Sequence, residues 1–232
     1  MENIPLLIGS RIRLYRQAKK ISLSELSERI HKSKSTLSKY ENGEISMDIE
    51  TLFEISQALG ISPTQLVTVP SETKEKKKGE ISGVRRKYMY IFDGKTNKIN
   101  HSVLEIYENG EEHQPVTLFY NTPSFDKYDK CKSLYYGTVY EHDYVTNYSL
   151  QNQSNDMESV FMCTVKPFEL SERRIGLISG ISARNLLPVC CKFVLADTIL
   201  KEDDELKSTL MLSKEDLRLI KRFNMFVIDQ MV

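Results

Sequence analysis

The run from Ser33 to Gly43 reads SKSTLSKYENG. Leu37 and Tyr40 are its only large apolar residues, and their spacing of three puts both on one face of a helix. Ser33 suits the N-cap of that helix and Gly43 its stop. The pattern therefore predicts a helix of about ten residues with a narrow inward stripe and a broad, donor-rich outward face.

Four further short helices surround it. IGSRIRLYRQAKK sets Ile8, Ile12 and Tyr15 at helical spacing among basic residues. SLSELSERI opens with Ser22 and has Glu25 three residues on, the signature of a capping box. MDIETLFEISQALG offers Asp48 as cap and Gly60 as stop, and SPTQLV places Pro63 in the first helical position. Residues 68–84, TVPSETKEKKKGEISGV, lack apolar periodicity and read as a charged linker.

From residue 85 the period changes. Segments such as KYMYIF, SVLEIY, VTLFY, SLYYGTVY and VCCKFVLA are short and rich in Val, Ile, Phe and Tyr. Turn-forming stretches such as DGKTNK and NTPS separate them. Seven or eight such segments predict an antiparallel sheet closed as a barrel or stacked as a sandwich. The end, SKEDLRLIKRFNMFVIDQMV, predicts one helix over 213–230, capped by Ser213 and Asp216. That helix is expected either to cover a barrel mouth or to pair with its own copy.

The expected fold is thus α then α+β: a five-helix domain over 1–67, a linker over 68–84, and a β-rich domain with a C-terminal helix over 85–232. The composition, 40% hydrophobic and 28% charged, is that of a globular protein. The start of the chain has no basic, apolar leader and no apolar run reaches membrane length, so a cytoplasmic protein is expected. The net charge of zero is segregated: residues 1–70 carry +1, residues 71–87 carry +4 and residues 88–232 carry −5. A nucleic-acid partner is therefore compatible with neutrality, and the acidic C-terminal part is a poor surface for it. Cys131, Cys163, Cys190 and Cys191 form no metal-ligand pattern and read as reduced thiols; no metal or cofactor is expected.

The first domain resembles the Cro/repressor-type helix-turn-helix family, also called the xenobiotic-response-element family. SLSELSERI, SKSTLSKYENG and ETLFEISQALGISPTQLV carry the likeness across residues 8–67. The resemblance implies a third helix that enters the major groove of DNA. By family position Lys34, Ser35 and Lys39 read base edges, and Thr36, Ser38 and Asn42 lie nearer phosphates. Arg16 and Glu41 stand where family members form a structural ion pair. Arg11 and Arg13 are candidates for phosphate contact or plain solvation. Three positions depart from the pattern: Leu23 where Gln is common, His31 where the turn usually holds Gly, and Lys32 at a commonly apolar site. Loss of Gln at position 23 leaves its phosphate contact to a helix N-terminal amide or to Ser24.

The layout also suits self-cleaving phage repressors, yet the chain has neither an Ala-Gly cleavage site nor a Gly-Asp-Ser turn. Ser179 in GLISGIS misses the G-x-S-x-G pattern and reads as close strand packing. No catalytic constellation is evident, so the chain is not expected to be an enzyme. The expected function is a dimeric, sequence-specific transcriptional regulator acting on an inverted-repeat operator in double-stranded DNA. Its tyrosine-rich β domain would sense a small-molecule effector or mediate dimerisation, with unknown ligand residues. The alternative is an antitoxin-like protein whose C-terminal domain binds a partner protein.

Overall fold

A computed structural model describes residues 4–67, 83–108, 113–165, 173–181 and 187–227. The chain divides into two compact units between Val84 and Arg85. Residues 68–82 of the expected linker lie outside the described residues, and Val84, placed in that linker from sequence, already begins a strand.

The first unit holds α1 (Ile4–Ala18), α2 (Leu23–Arg29), α3 (Lys34–Glu41), α4 (Ile49–Leu59) and α5 (Pro63–Val67). Each of the three central helices starts at a side-chain cap, with Ser22, Ser33 and Asp48 accepting from the backbone amides of Glu25, Thr36 and Thr51. Ser22 and Glu25 complete a reciprocal capping box. Gly60 ends α4 in the left-handed conformation. Ile12, Leu26, Leu37, Ile55, Leu59 and Leu66 are buried, one or more from every helix. Gly9 sets the closest approach, because a Cβ there would lie 2.1 Å from the Tyr40 carbonyl oxygen. Only glycine lets α1 pass this near the end of α3.

The second unit contains eight strands: β1 (Val84–Asp93), β2 (Lys98–Tyr107), β3 (His113–Thr122), β4 (Ser133–Glu141), β5 (Val145–Asn152), β6 (Ser159–Val165), β7 (Arg173–Ile181) and β8 (Pro188–Ala196). They form a closed barrel in chain order. β1 returns antiparallel to β8 with Tyr88 opposite Ala196, which resolves the barrel-or-sandwich alternative by leaving no sheet edge. Met89, Leu104, Leu118, Val139, Met162 and Phe193 pack inside it. Ser179 donates to the Phe161 carbonyl at 3.4 Å across β6 and β7.

Outside the wall, a short 3₁₀ helix at Phe125–Lys130 and α6 (Asp204–Leu210) cover β1 and β8. Leu206 and Leu210 of α6 pack with Tyr90 and Val194. The chain then enters α7 (Lys214–Phe223), capped by Ser213 and Asp216. This corrects the single helix expected over 213–230. Asn224 takes φ 52°, the left-handed conformation that stops a helix, and asparagine is one of the few residues that adopts it readily. Residues 228–230 of that expected helix lie outside the described residues.

Asp216 also pairs with Lys192 of β8 at 2.7 Å, with both side chains under a tenth exposed. Burial opposes ionisation of Asp216, but hydrogen bonds from Lys192 and Ser213 outweigh it and hold the carboxyl below its ordinary range. Among the described residues no helix is long and apolar enough to cross a membrane.

Candidate nucleic-acid interface

The N-terminal end of α3 is built from its cap outward. Ser33 Oγ accepts from the Thr36 amide at 3.0 Å and lies 2.8 Å from Thr36 Oγ1, so the Thr36 hydroxyl is tied to the cap. Leu37 and Tyr40 are buried beneath the helix, which turns Lys34, Ser35 and Lys39 to solvent. Among the described residues the side chains of Lys34, Ser35, Ser38 and Lys39 make no hydrogen bond or ion pair. Four donors thus stand on a rigid helix without a partner among the described residues.

The far end of α3 is differently engaged. Arg16 Nε and Nη2 donate to the two Glu41 carboxylate oxygens at 2.6 and 2.9 Å, and its Nη1 donates to the Ile21 carbonyl at 3.0 Å. Glu41 is only 2% exposed. The Glu41 hydrogen bond raises the Arg16 pKa above its usual value, against the opposing effect of burial. Arg13 Nε adds a third donor to Glu41 at 3.2 Å.

Arg13 also donates to Asn42 Oδ1, while Asn42 Nδ2 donates to Glu44 Oε1 at 3.0 Å. Asn42, expected beside a phosphate, is therefore held on both sides by its own domain. Arg11 and Arg13 both have internal partners, although the Arg13 side chain stays 43% exposed. Arg11 is buried and donates to the Gln65 carbonyl at 3.2 Å, tying α1 to α5, and Arg13 braces α3. Neither role was legible, because the partners lie 54 and 28 residues away in the chain.

The turn between α2 and α3 passes through His31 at φ 51°. A left-handed residue other than glycine carries strain of about 1–2 kcal/mol, while glycine adds about 0.5–1 kcal/mol of backbone entropy loss on folding. His31→Gly should therefore leave the fold intact, with a stability change of under about 1.5 kcal/mol in the favourable direction. Thermal unfolding of the full chain checks this, and a clear destabilisation would mean that the His31 side chain supports the turn. Nearby, Ser24 Oγ donates to Glu28 Oε1 at 3.2 Å, so its hydroxyl already has an internal acceptor.

Among the described residues no group of three or more His, Cys, Asp or Glu side chains is placed to hold a metal. The four cysteines form no disulfide.

Residues 12–66 match HTH_3, a helix-turn-helix family. An uncharacterized HTH-type transcriptional regulator, y4dJ of Sinorhizobium fredii (strain NBRC 101917 / NGR234), is 37% identical over 67 residues, 29% of this chain and 87% of that protein. The clp gene regulator ClgR from C. glutamicum is 30% identical, covering 27% of this chain and 82% of its own, with a TM-score of 0.27. Hydroxypropylphosphonic acid epoxidase from S. wedmorenis is 11% identical, covering 84% of this chain and 99% of its own, with a TM-score of 0.28. Neither structural likeness, at these TM-scores, bears on what the barrel does.

Proposed function

This chain belongs to the HTH_3 family of helix-turn-helix transcriptional regulators, and from that premise we propose that it binds operator DNA as a homodimer and is not an enzyme. The observation that carries the reading is the row of unengaged donors on α3, held rigid by the Ser33 cap at one end and Glu41 at the other. In this reading Lys34, Ser35 and Lys39 meet base edges in the major groove, and Ser38 meets the backbone. Thr36 can donate to a phosphate while its Oγ1 accepts from Ser33, and Asn42 can do so through its second amide N–H while the other stays on Glu44. The proposed division of labour is a DNA-binding domain over 1–67, a linker over 68–84, and a regulatory and dimerising domain over 85–232.

Exposed apolar side chains in and just after α7 support the dimer. Leu217 and Phe223 of α7 and Met225 and Phe226 beyond it are 37–58% exposed, on a segment tied to the barrel through Asp216 and Lys192. A second copy of the same segment would bury these side chains. The barrel would pass a signal from a small effector by favouring one arrangement of the two recognition helices over another.

Light scattering and DNA footprinting on the full chain test this together. The expected result is a dimer protecting two half-sites about 10 base pairs apart, with affinity that falls steeply as salt rises. The Leu217→Glu, Phe223→Glu variant should be monomeric and protect half-sites far more weakly. A monomeric wild-type chain that travels with a stoichiometric protein companion and protects no DNA would contradict the reading and favour an antitoxin-like role.

A further inference from the structure

Along β1, Met89 and Ile91 belong to the barrel's inner core, so Arg85 and Lys87, of the same parity, also stand on the inner face. The register continues this charged layer around the wall. Glu141 of β4 lies opposite Thr146 of β5, and Thr146 lies opposite Thr164 of β6. Tyr148 is next inward on β5, and Arg174 follows Gly176 on the inner face of β7. All of these residues sit at the end of the barrel where β1 begins.

Some of the layer is internally paired. Arg85 Nη2 donates to Gln114 Oε1 at 3.0 Å and to Glu141 Oε2 at 2.9 Å, and Lys87 pairs with Asp197. Arg85 Nε lies 2.9 Å from Glu108 Oε1 as an ion pair outside hydrogen-bond geometry. Among the described residues the Thr146, Thr164 and Tyr148 hydroxyls and Glu141 Oε1 are buried without a hydrogen-bond partner. Thr146 and Tyr148 are 0% exposed and Thr164 is 1% exposed. Arg174 faces Tyr148 and Glu141 electrostatically and makes no hydrogen bond among the described residues.

Buried polar groups are nearly always hydrogen-bonded, and each unmade bond is a cost that a purely structural core would avoid with valine or phenylalanine. Three hydroxyls, a guanidinium and a carboxylate oxygen converging on one end of a closed barrel therefore point to a bound molecule. We propose that this end of the barrel binds a small organic oxyanion, with a carboxylate or phosphoryl head, that also carries an amine or hydroxyl donor. Arg174 offers the planar fork that such a head takes, and the three hydroxyls donate beside it. Glu141 Oε1 can only accept, so it selects the donor. Leu150, Met162 and Val139 fill the interior just beyond, which limits the ligand to a few heavy atoms around its head. The proposal rests on the ligand-sensing reading above and supplies its site and ligand class.

The experiment is isothermal titration calorimetry of the full chain with four probes: O-phosphoethanolamine, glycolate, inorganic phosphate and ethanolamine. The first two carry both an oxyanion head and a donor, and they distinguish a phosphoryl from a carboxylate source. At least one of them should bind more tightly than inorganic phosphate, and ethanolamine should not bind. Arg174→Gln and Thr164→Val should each weaken that probe tenfold or more. Thr164→Val keeps the side-chain shape and removes only an unpaired hydroxyl, so it should unfold no earlier than wild type.

No heat with either bifunctional probe, or equal affinity in both variants, would overturn the site. Operator affinity read in parallel separates this failure from that of the sensing role. Probe binding that both variants weaken, with unchanged operator affinity in wild type, would uphold the site and remove its regulatory consequence. An operator response to the probe that persists in both variants would keep ligand sensing and overturn this location for it.

Discussion

Replacing Lys34 and Lys39 together by alanine should lower the affinity of the full chain for its preferred duplex by at least about 30-fold, on the basis of about 1–3 kcal/mol for each side chain that reads a base. The fold does not share in this loss. Both lysines are exposed and unengaged among the described residues, and alanine is at least as good a helix former as lysine. Surface changes of this kind move stability by under about 0.5 kcal/mol, so the thermal midpoint should stay put while binding collapses. Competition titrations against scrambled DNA separate the two roles that a lysine can play. A base reader loses discrimination between sequences, whereas a phosphate contact loses affinity for all of them and flattens the salt dependence.

Arg16→Ala produces the opposite pattern, a large loss of stability from which loss of binding follows. Glu41 is almost fully buried and takes two hydrogen bonds from Arg16 and one from Arg13. Removing Arg16 leaves a buried carboxylate with only the half-exposed Arg13 beside it, at a cost of about 3–5 kcal/mol. Small domains have total stabilities of about 5–15 kcal/mol, so this loss takes a large share of what holds the first unit together. Calorimetric unfolding of the full chain should show the transition of the helical unit moving down while the barrel transition is unchanged. Equal movement of both transitions, or of neither, would contradict the role given to this pair.

Sequence carried the helical unit well because its signals are local. Ser22, Ser33 and Asp48 cap the helices that their positions predict, and His31 takes the positive φ expected of the turn. Barrel closure was not legible, since it depends on Tyr88 meeting Ala196 across 108 residues, a register that no local pattern encodes. The signals for α6 are local but span only seven residues, too few for helical periodicity to stand out. Asp203 caps it, Asp204 and Glu205 fill its first turn, and Leu206 and Leu210 share a face. At the C-terminal helix the pattern runs too long, because Phe226 and Val227 continue the apolar spacing past the point where Asn224 breaks the backbone.

The outward donors of α3 could be read from spacing alone, but the commitments of Arg11, Arg13 and Asn42 could not. Those follow from how α1 lies against α3 and α5, and the small residue that permits the first approach, Gly9, carries no periodic signal. The polar layer inside the barrel was hidden for a related reason. Arg85 and Lys87 share parity with Met89 and Ile91, yet only closure shows that this parity is the interior.

Whether α3 reads DNA sequence from a dimer is decided by selecting bound duplexes from a random pool with wild type and with the Lys34→Ala, Lys39→Ala variant in parallel. Wild type should enrich an inverted repeat with half-site centres about 10 base pairs apart, and the variant should enrich nothing. Enrichment of the same repeat by both proteins, or of no sequence by wild type at low salt, would contradict it.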